Sequence, residues 1–75
     1  MKELIEYIVK SIVNVPDQVV ITEETSDEAV LFKLQVADED KGRVIGRQGR
    51  VAEAMRTLLR VKAAKLGTKA RLEIL

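Results

Sequence analysis

The residues with the most obvious chemistry lie in a run of glycines and bases from Lys41 to Arg50. Within it, Gly46-Arg47-Gln48-Gly49 places a glycine at each end of two polar residues, and glycine lets a backbone turn sharply and approach a ligand closely. Arg47 and Arg50 can donate charge-assisted hydrogen bonds to phosphate. A helix beginning after the loop would point free N–H groups at the same place. The spacing predicts a loop that holds a phosphate backbone, although a plain helix-helix turn capped by glycines is an alternative.

The same segment does not fit the familiar catalytic motifs. It lacks the Gly-Lys-Ser/Thr of a phosphate-binding loop and the third glycine of a dinucleotide fingerprint. The chain has no His and no Cys, which leaves no thiol or imidazole for nucleophilic or general-base work and no zinc-ligand spacing. Asp38-Glu39-Asp40 could attract a divalent cation, but acids are commoner at the start of a helix. We therefore expect no enzyme activity, metal, cofactor or small-molecule substrate.

Charge is strongly divided along the chain. Residues 1–40 carry three bases and ten acids, a net charge of −7, whereas residues 41–75 carry ten bases and two acids, a net charge of +8. One interpretation is that the charged residues are distributed in this way by chance and that the two halves attract each other in the fold. An excess this large more readily indicates one electropositive face, as expected of a protein that binds nucleic acid.

Length and composition limit the architecture. A chain of 75 residues has room for one domain, 1–75, and its hydrophobic fraction of 47% is ample for a core without disulfides. No stretch approaches the roughly 20 apolar residues of a membrane span, and no targeting signal is visible. We expect a cytoplasmic protein that makes no membrane contact.

The elements that must position the loop follow from periodicity. Apolar residues recur with a 3.6-residue period from Leu4 to Val13 and predict a helix that ends before Pro16. Val19 to Thr22 and Val30 to Val36 predict two strands, and the short polar turn between them predicts an antiparallel hairpin. The apolar arc of the first helix is broad enough to suggest a self-association surface.

The second half predicts two helices and a strand. Asp38 is a suitable N-cap for a short helix that runs to about Ile45 and stops at Gly46. A longer helix spans about Arg50 to Leu66, followed by a strand from Lys69 to Leu75. The apolar face of the longer helix is predicted to contain Val51, Met55, Leu58, Leu59 and Leu66, with Ala52 at its edge.

The loop and the element order together resemble a known family. The apolar pair Val44-Ile45, the Gly-x-x-Gly loop with a base inside it and the helix that follows resemble the signature of the KH domain. The order α-β-β-α-α-β resembles the type II KH arrangement, and the whole chain is similar to the bacterial single-KH proteins of the KhpA type. The resemblance implies an α+β fold with a three-stranded sheet packed on one side by three helices.

The resemblance also implies a function. KH domains hold about four nucleotides of a single strand with the Gly-x-x-Gly loop against the backbone, in a shallow apolar groove between the helices and a strand. The implied partner is single-stranded RNA, and the implied role is that of an RNA chaperone or post-transcriptional regulator. The departure from the family pattern is Ala52, where many KH domains have Ile or Val. The RNA-binding residues are expected to be Lys41, Arg43, Ile45, Gly46, Arg47, Gln48, Gly49 and Arg50.

Two other functions fit parts of the sequence. Two helices joined by a tight turn also describe a helix-turn-helix that reads double-stranded DNA, with Arg50, Glu53 and Arg56 at the start of the recognition helix. The broad arc of the first helix would suit a protein-interaction module whose nucleic-acid role is minor. The resemblance implies pairing as well, as a homodimer or with a second KH-containing RNA-binding protein.

Overall fold

The computed structural model describes residues 1–75 and contains three helices and three strands in the order α-β-β-α-α-β. This confirms the predicted α+β class and element order. Short 3₁₀ turns lie at Pro16–Gln18, Asp38–Asp40 and Arg47–Gly49. The elements are α1 (Lys2–Ile12), β1 (Val20–Thr25), β2 (Ala29–Gln35), α2 (Lys41–Ile45), α3 (Arg50–Lys65) and β3 (Lys69–Ile74).

The three strands form a mixed sheet with β2 in the centre. β1 pairs antiparallel with β2, as the short turn predicted, and β3 pairs parallel with β2 after the two-helix crossover. The register places Phe32 beside Leu72 and Val30 beside Ala70. Because side chains alternate across a strand, these residues share one face of the sheet.

The helices cover that face and enclose a hydrophobic core. Phe32 and Leu34 of β2 are fully buried, as are Ile5 and Val9 of α1. Leu59 of α3 is almost completely buried in the same cluster. None of the helices has the length and apolar character that a membrane-spanning segment requires.

The broad apolar arc of α1 is mostly used inside this core. Ile8 and Ile12 are half-buried against the core cluster, and only Tyr7, 76% exposed, projects freely from the arc. α1 ends shortly before Pro16, as predicted. The width of the arc is therefore explained by burial from two directions, against the sheet and beside α2.

The face that α3 buries differs from the apolar face that the sequence predicted. Leu58 and Leu66 are 47% and 60% exposed, whereas the alanines at positions 52 and 63 are buried. Small side chains let a helix lie close to a sheet, so the contact face is chosen by fit rather than by residue size alone. The buried residues of α3 are Ala52, Met55, Leu59 and Ala63.

The prediction that Asp38 caps α2 was wrong. The Asp38 side chain makes no cap hydrogen bond and forms an exposed ion pair with Lys41. Its neighbour Asp40 is fully buried instead, and its two carboxylate oxygens accept the N–H groups of Asn14 and Val15, each at 2.9 Å. Asp40 thus joins the end of α1 to the start of α2, a contact across 25 residues that local sequence does not reveal.

Candidate nucleic-acid interface

The loop between α2 and α3, residues 46–49, is called the clamp loop below. It begins at Gly46, whose φ of 76° and ψ of 172° lie in a region that is essentially open to glycine alone. A Cβ at Gly46 would come within 2.4 Å of Val51 Cγ2 and 2.9 Å of the Val51 amide nitrogen. The first glycine is therefore required by the fold, because Val51 packs directly over it.

The second half of the clamp loop is open to solvent. Gln48 and Gly49 both have left-handed conformations, with φ of 57° and 74°. Nothing lies within 4 Å of the position that a Cβ on Gly49 would take. A left-handed non-glycine residue costs on the order of 1–3 kcal/mol, so Gln48 stores backbone strain at this exposed site. The second glycine meets no packing demand, which leaves room for a ligand.

Peptide N–H groups converge at the start of α3. The N–H groups of Gly49 and Arg50 are already bonded to the carbonyls of Gly46 and Arg47. No side chain caps α3, so the N–H groups of Val51 and Ala52 have no partner within the helix. The left-handed Gly49 followed by the right-handed Arg50 is also the geometry of a backbone anion nest. Backbone and helix dipole therefore favour an anion here.

The polar side chains of the clamp loop are exposed and free of acids. Arg47, Gln48 and Arg50 are all exposed, and Arg50 Nη2 donates to Gln48 Oε1 at 3.3 Å. Neither arginine takes part in an ion pair. Two uncompensated guanidinium groups thus stand beside the anion-favouring helix start.

The remaining predicted residues lie on α2, next to the clamp loop. Lys41 and Arg43 are exposed or half-exposed, but each is partnered by an acid, with Lys41 Nζ 3.4 Å from Asp38 and Arg43 Nε 3.7 Å from Asp40. Ile45 is 41% exposed and available for contact, whereas its neighbour Val44 is fully buried in the core. Only Ile45 of the apolar pair can therefore touch a ligand.

A groove runs between α3 and the outer edge of β3, in agreement with the apolar groove between helices and a strand that the family resemblance implies. It has a volume of about 720 Å³. Its floor is apolar and its rim basic, and none of the predicted RNA-binding residues lines it. It is called the α3–β3 groove below, and its lining residues are Arg56, Arg60, Ala63, Ala64, Thr68, Lys69, Ala70, Arg71 and Leu72.

From the sequence alone, only the basic residues of this groove could be suspected of a role in binding. As bases, Arg56, Arg60 and Lys69 could contact phosphate, but from the sequence alone an ordinary solvated surface explains them at least as well. The alanines at positions 63, 64 and 70 gave a second signal, because small side chains on facing elements leave space between them. That signal becomes informative only once α3 is known to pack beside β3.

Comparison with known proteins gives a consistent result. A family model described as "KhpA/KhpB, KH domain" matches residues 2–74. A Listeria monocytogenes serovar 1/2a protein named "RNA-binding protein KhpA" is 52% identical over 75 residues, covering all of this chain and 99% of its own. Proteins of the same name from Clostridium acetobutylicum and Treponema pallidum are 44% and 42% identical, covering 100% and 92% of their own lengths and 100% and 99% of this chain. No solved structure gives a significant match.

Proposed function

Because this chain belongs to the KhpA/KhpB family of KH domains, we propose that it is a non-catalytic protein that binds single-stranded RNA with its clamp loop. Relatives that match over nearly their full length carry the name RNA-binding protein. In this proposal the protein acts in the bacterial cytoplasm as an RNA chaperone or post-transcriptional regulator.

One observation carries the proposal: the clamp loop is open on the side where positive charge collects. No atom fills the space beside Gly49, and Arg47 and Arg50 have no acidic partner. A sugar-phosphate backbone can lie against the peptide there and accept hydrogen bonds from the first turn of α3. This arrangement suits a polyanion better than a compact substrate, because it offers a surface and no enclosed cavity.

The α3–β3 groove extends the binding surface. α3 begins directly after the clamp loop, and its Arg56 and Arg60 line the groove. An RNA strand held at the clamp loop can continue along α3 and place its bases on the apolar floor formed by Ala63, Ala70 and Leu72. Bases on an apolar floor with phosphates near a basic rim would explain why this groove is both hydrophobic and positive.

Electrostatics support a polyanionic partner. Of the ten bases in residues 41–75, three are in ion pairs. The seven without an acid partner are Arg47, Arg50, Arg60, Lys62, Lys65, Lys69 and Arg71. Phosphate contacts of this kind release counterions, so binding should weaken steeply as salt rises.

Double-stranded DNA binding through a helix-turn-helix is less well supported. α2 has only five residues, and the helix pair packs on a sheet and not on a third helix alone. Glu53, offered at the start of the supposed recognition helix, pairs with Arg56 at 2.9 Å and removes charge from that surface. Competition between a short single strand and a duplex of the same sequence separates the two functions.

The decisive test replaces Arg47 and Gln48 with Asp together. We expect the fold to survive, because both side chains are exposed, and the affinity for single-stranded RNA to fall at least about 10-fold through lost phosphate contacts and like-charge repulsion. Fluorescence anisotropy with a labelled 10-nucleotide RNA at several salt concentrations measures this.

The matched control makes the same change in net charge elsewhere. Lys2→Asp with Gln18→Asp alters two exposed positions away from the clamp loop, and an acid suits the first turn of α1. It should weaken binding far less than the clamp variant. Equal losses in the two variants would show that only net charge matters and would refute the clamp assignment.

We also propose that the protein pairs, with itself or with a second KH-containing RNA-binding protein. α1 offers only Tyr7 for this purpose, whereas α3 exposes Leu58 and Val61, 47% and 52% accessible. These two residues and exposed Ala54 follow the spacing i, i+4, i+7 and form a stripe, called the α3 stripe below. The stripe lies about 150° around the helix from Arg56 and Arg60. Pairing through the stripe would therefore leave the α3–β3 groove of each protomer open, and the two linked RNA sites would raise affinity through avidity.

A further inference from the structure

Two exposed bases stand where the α3–β3 groove meets the other face of the sheet. Lys69 and Arg71 alternate along β3 with Ala70 and Leu72. Leu72 is buried in the core beneath the helices, so the side chains of Lys69 and Arg71 lie on the opposite face, called the open sheet face below. Both bases also line the edge of the groove, and neither has an acid partner. They are therefore within reach of a strand that leaves the groove over β3.

The end of the groove farthest from the clamp loop lies beside Lys69. The N–H of the preceding residue, Thr68, bonds to the Ala63 carbonyl at 2.9 Å. Ala63 follows Arg50 by 13 residues, which is about 20 Å along the helix. A KH domain holds about four nucleotides of a single strand. We therefore expect a longer strand to continue past this end of the groove.

Negative charge lies straight ahead of this end. Lys69 pairs with Ala29 of β2, so the turn between β1 and β2, residues 26–28, lies just beyond the groove. Asp27 and Glu28 are exposed in this turn, and neither is in an ion pair. Their carboxylates would repel a phosphate backbone. A strand that continued in line with α3 would therefore be disfavoured.

The open sheet face offers a more favourable route. The two bases of β3 lie beside uncharged residues of β2, Ala29 and Leu31, so their charge is not neutralised across the sheet. Of the acids on this face, Glu24 is paired with Lys33 at 3.2 Å, and Glu73 lies near the other end of β3 without an ion pair. Positive charge on this face is therefore concentrated in the first half of β3, next to the end of the groove.

We propose that an RNA strand longer than four nucleotides turns over the edge of β3 and is held on the open sheet face by Lys69 and Arg71. The inference rests on the proposed function, since it requires the strand to run from the clamp loop along α3. Residues at i and i+2 of a strand stand about 7 Å apart on one face, so the two side chains can donate to different phosphates. The site would thus take two further phosphates without reading the bases.

The first experiment compares a uridine tetramer with a uridine hexamer on the unaltered protein. For single strands, each phosphate contact adds about 0.7 to the steepness with which log affinity falls against log salt concentration. Two further contacts should make the slope for the hexamer steeper by about 1.4. The slope is the readout because the hexamer can sit on the clamp loop in more positions, which raises its affinity but not its slope. Isothermal titration calorimetry at several salt concentrations measures it.

NMR chemical shifts locate the additional contact. The hexamer, but not the tetramer, should shift the amide signals of Leu31 and Arg71 on the open sheet face. The signals of Asp27 and Glu28 should stay in place. Shifts at this turn without shifts at Leu31 would show that the strand runs straight on, against the proposed route.

The second experiment repeats both titrations with Lys69→Gln and Arg71→Gln together. The slope for the hexamer should fall to that for the tetramer. The matched control is Lys62→Gln with Lys65→Gln, which removes the same charge from the last turn of α3. Both of these lysines lie at least about 120° around the helix from the arginines that line the groove. The control should weaken both oligomers by a similar factor and preserve the difference in slope.

The outcomes separate this inference from the proposed function. Equal slopes for the two oligomers on the unaltered protein overturn the extended path and leave binding at the clamp loop intact. Failure of both oligomers, and of longer single strands, to bind overturns the proposed function itself. A slope difference that survives in the Lys69 and Arg71 variant, or that is lost equally in the control, refutes the role of these two bases. Circular dichroism checks that the variants fold, and the comparison of oligomers stands on the unaltered protein alone.

Discussion

The glycines around the clamp loop have different physical roles, although they look alike in the sequence. Gly46 is fixed by packing, because Val51 occupies the space that a side chain would need. Gly49 has a left-handed backbone but open space beside it. Gly42 has neither the packing contact of Gly46 nor the left-handed backbone of Gly49. It lies in α2, with nothing within 4 Å of an added Cβ. Packing thus accounts for Gly46, whereas the open space beside Gly49 is what the proposed RNA contact requires.

Alanine substitutions should separate these roles. Gly46→Ala should lower the free energy of unfolding by about 2–5 kcal/mol, because it adds a forbidden backbone conformation to a clash with Val51. Gly42→Ala is the control in the preceding helix and should change stability by less than about 1 kcal/mol, in the stabilising direction. Urea denaturation followed by circular dichroism measures both. A mild effect at Gly46 would mean that Val51 moves aside easily and does not shape the loop.

At the scale of elements, Asp40 links parts of the chain that are distant in sequence. Its buried carboxylate accepts two backbone N–H groups from the connection after α1 and sits 3.7 Å from Arg43 on α2. Because α2 ends at the clamp loop, this contact sets the position from which the loop starts. The short helix has no side-chain cap, so Asp40 anchors it through tertiary contacts.

The substitution Asp40→Asn should destabilise the protein. An amide keeps one acceptor oxygen but puts an NH₂ group where the second was, leaving a backbone donor unpaired at a cost of about 1–3 kcal/mol. The exposed neighbour Asp38 provides the control, since Asp38→Asn loses only an exposed ion pair worth at most about 1 kcal/mol. Chemical denaturation of both variants gives the comparison. Comparable losses at the two positions would contradict the anchoring role.

For the whole molecule, the separation of charge and the placement of exposed apolar groups suggest distinct surfaces. The bases of α3 and β3 rim the α3–β3 groove, while Leu58 and Val61 lie on another side of the same helix. In the proposed function, one helix would serve both RNA binding and pairing. The sheet face opposite the helices carries mixed charges, such as the pair between Lys33 and Glu24 at 3.2 Å, and offers no comparable stripe.

Removing the α3 stripe should disrupt pairing without disrupting the RNA site. Leu58→Gln with Val61→Gln removes apolar surface and no charge, and we expect a monomer by sedimentation velocity. Affinity for an RNA long enough to span two sites should fall about 10-fold or more through lost avidity, while a hexamer should bind as before. Val20→Gln, at a similarly exposed position on β1, is the control and should change neither property. A double variant that still pairs would move the contact elsewhere, with Tyr7 on α1 the next position to test.

The local sequence determined the element order and the position of the clamp loop. The periodicity of apolar residues and the positions of proline and glycine were sufficient there. Pro16 ends the first helix, alternation from Val30 to Val36 marks the central strand, and two glycines frame the loop. These signals depend on backbone conformation over a few residues, which is why they can be read without knowing what lies nearby. The KH family assignment followed from the same local pattern and was confirmed over nearly the whole chain.

Only the tertiary structure decided which faces meet. The sequence could not show that Asp40 turns inward while Asp38 stays outside, or that two alanines of α3 are buried while Leu58 is exposed. The resemblance implied a groove between the helices and a strand, but the sequence could not show that small residues of α3 and β3 face each other to form it. Such choices depend on the fit between surfaces that are far apart along the chain, and side-chain size and polarity constrain that fit without fixing it.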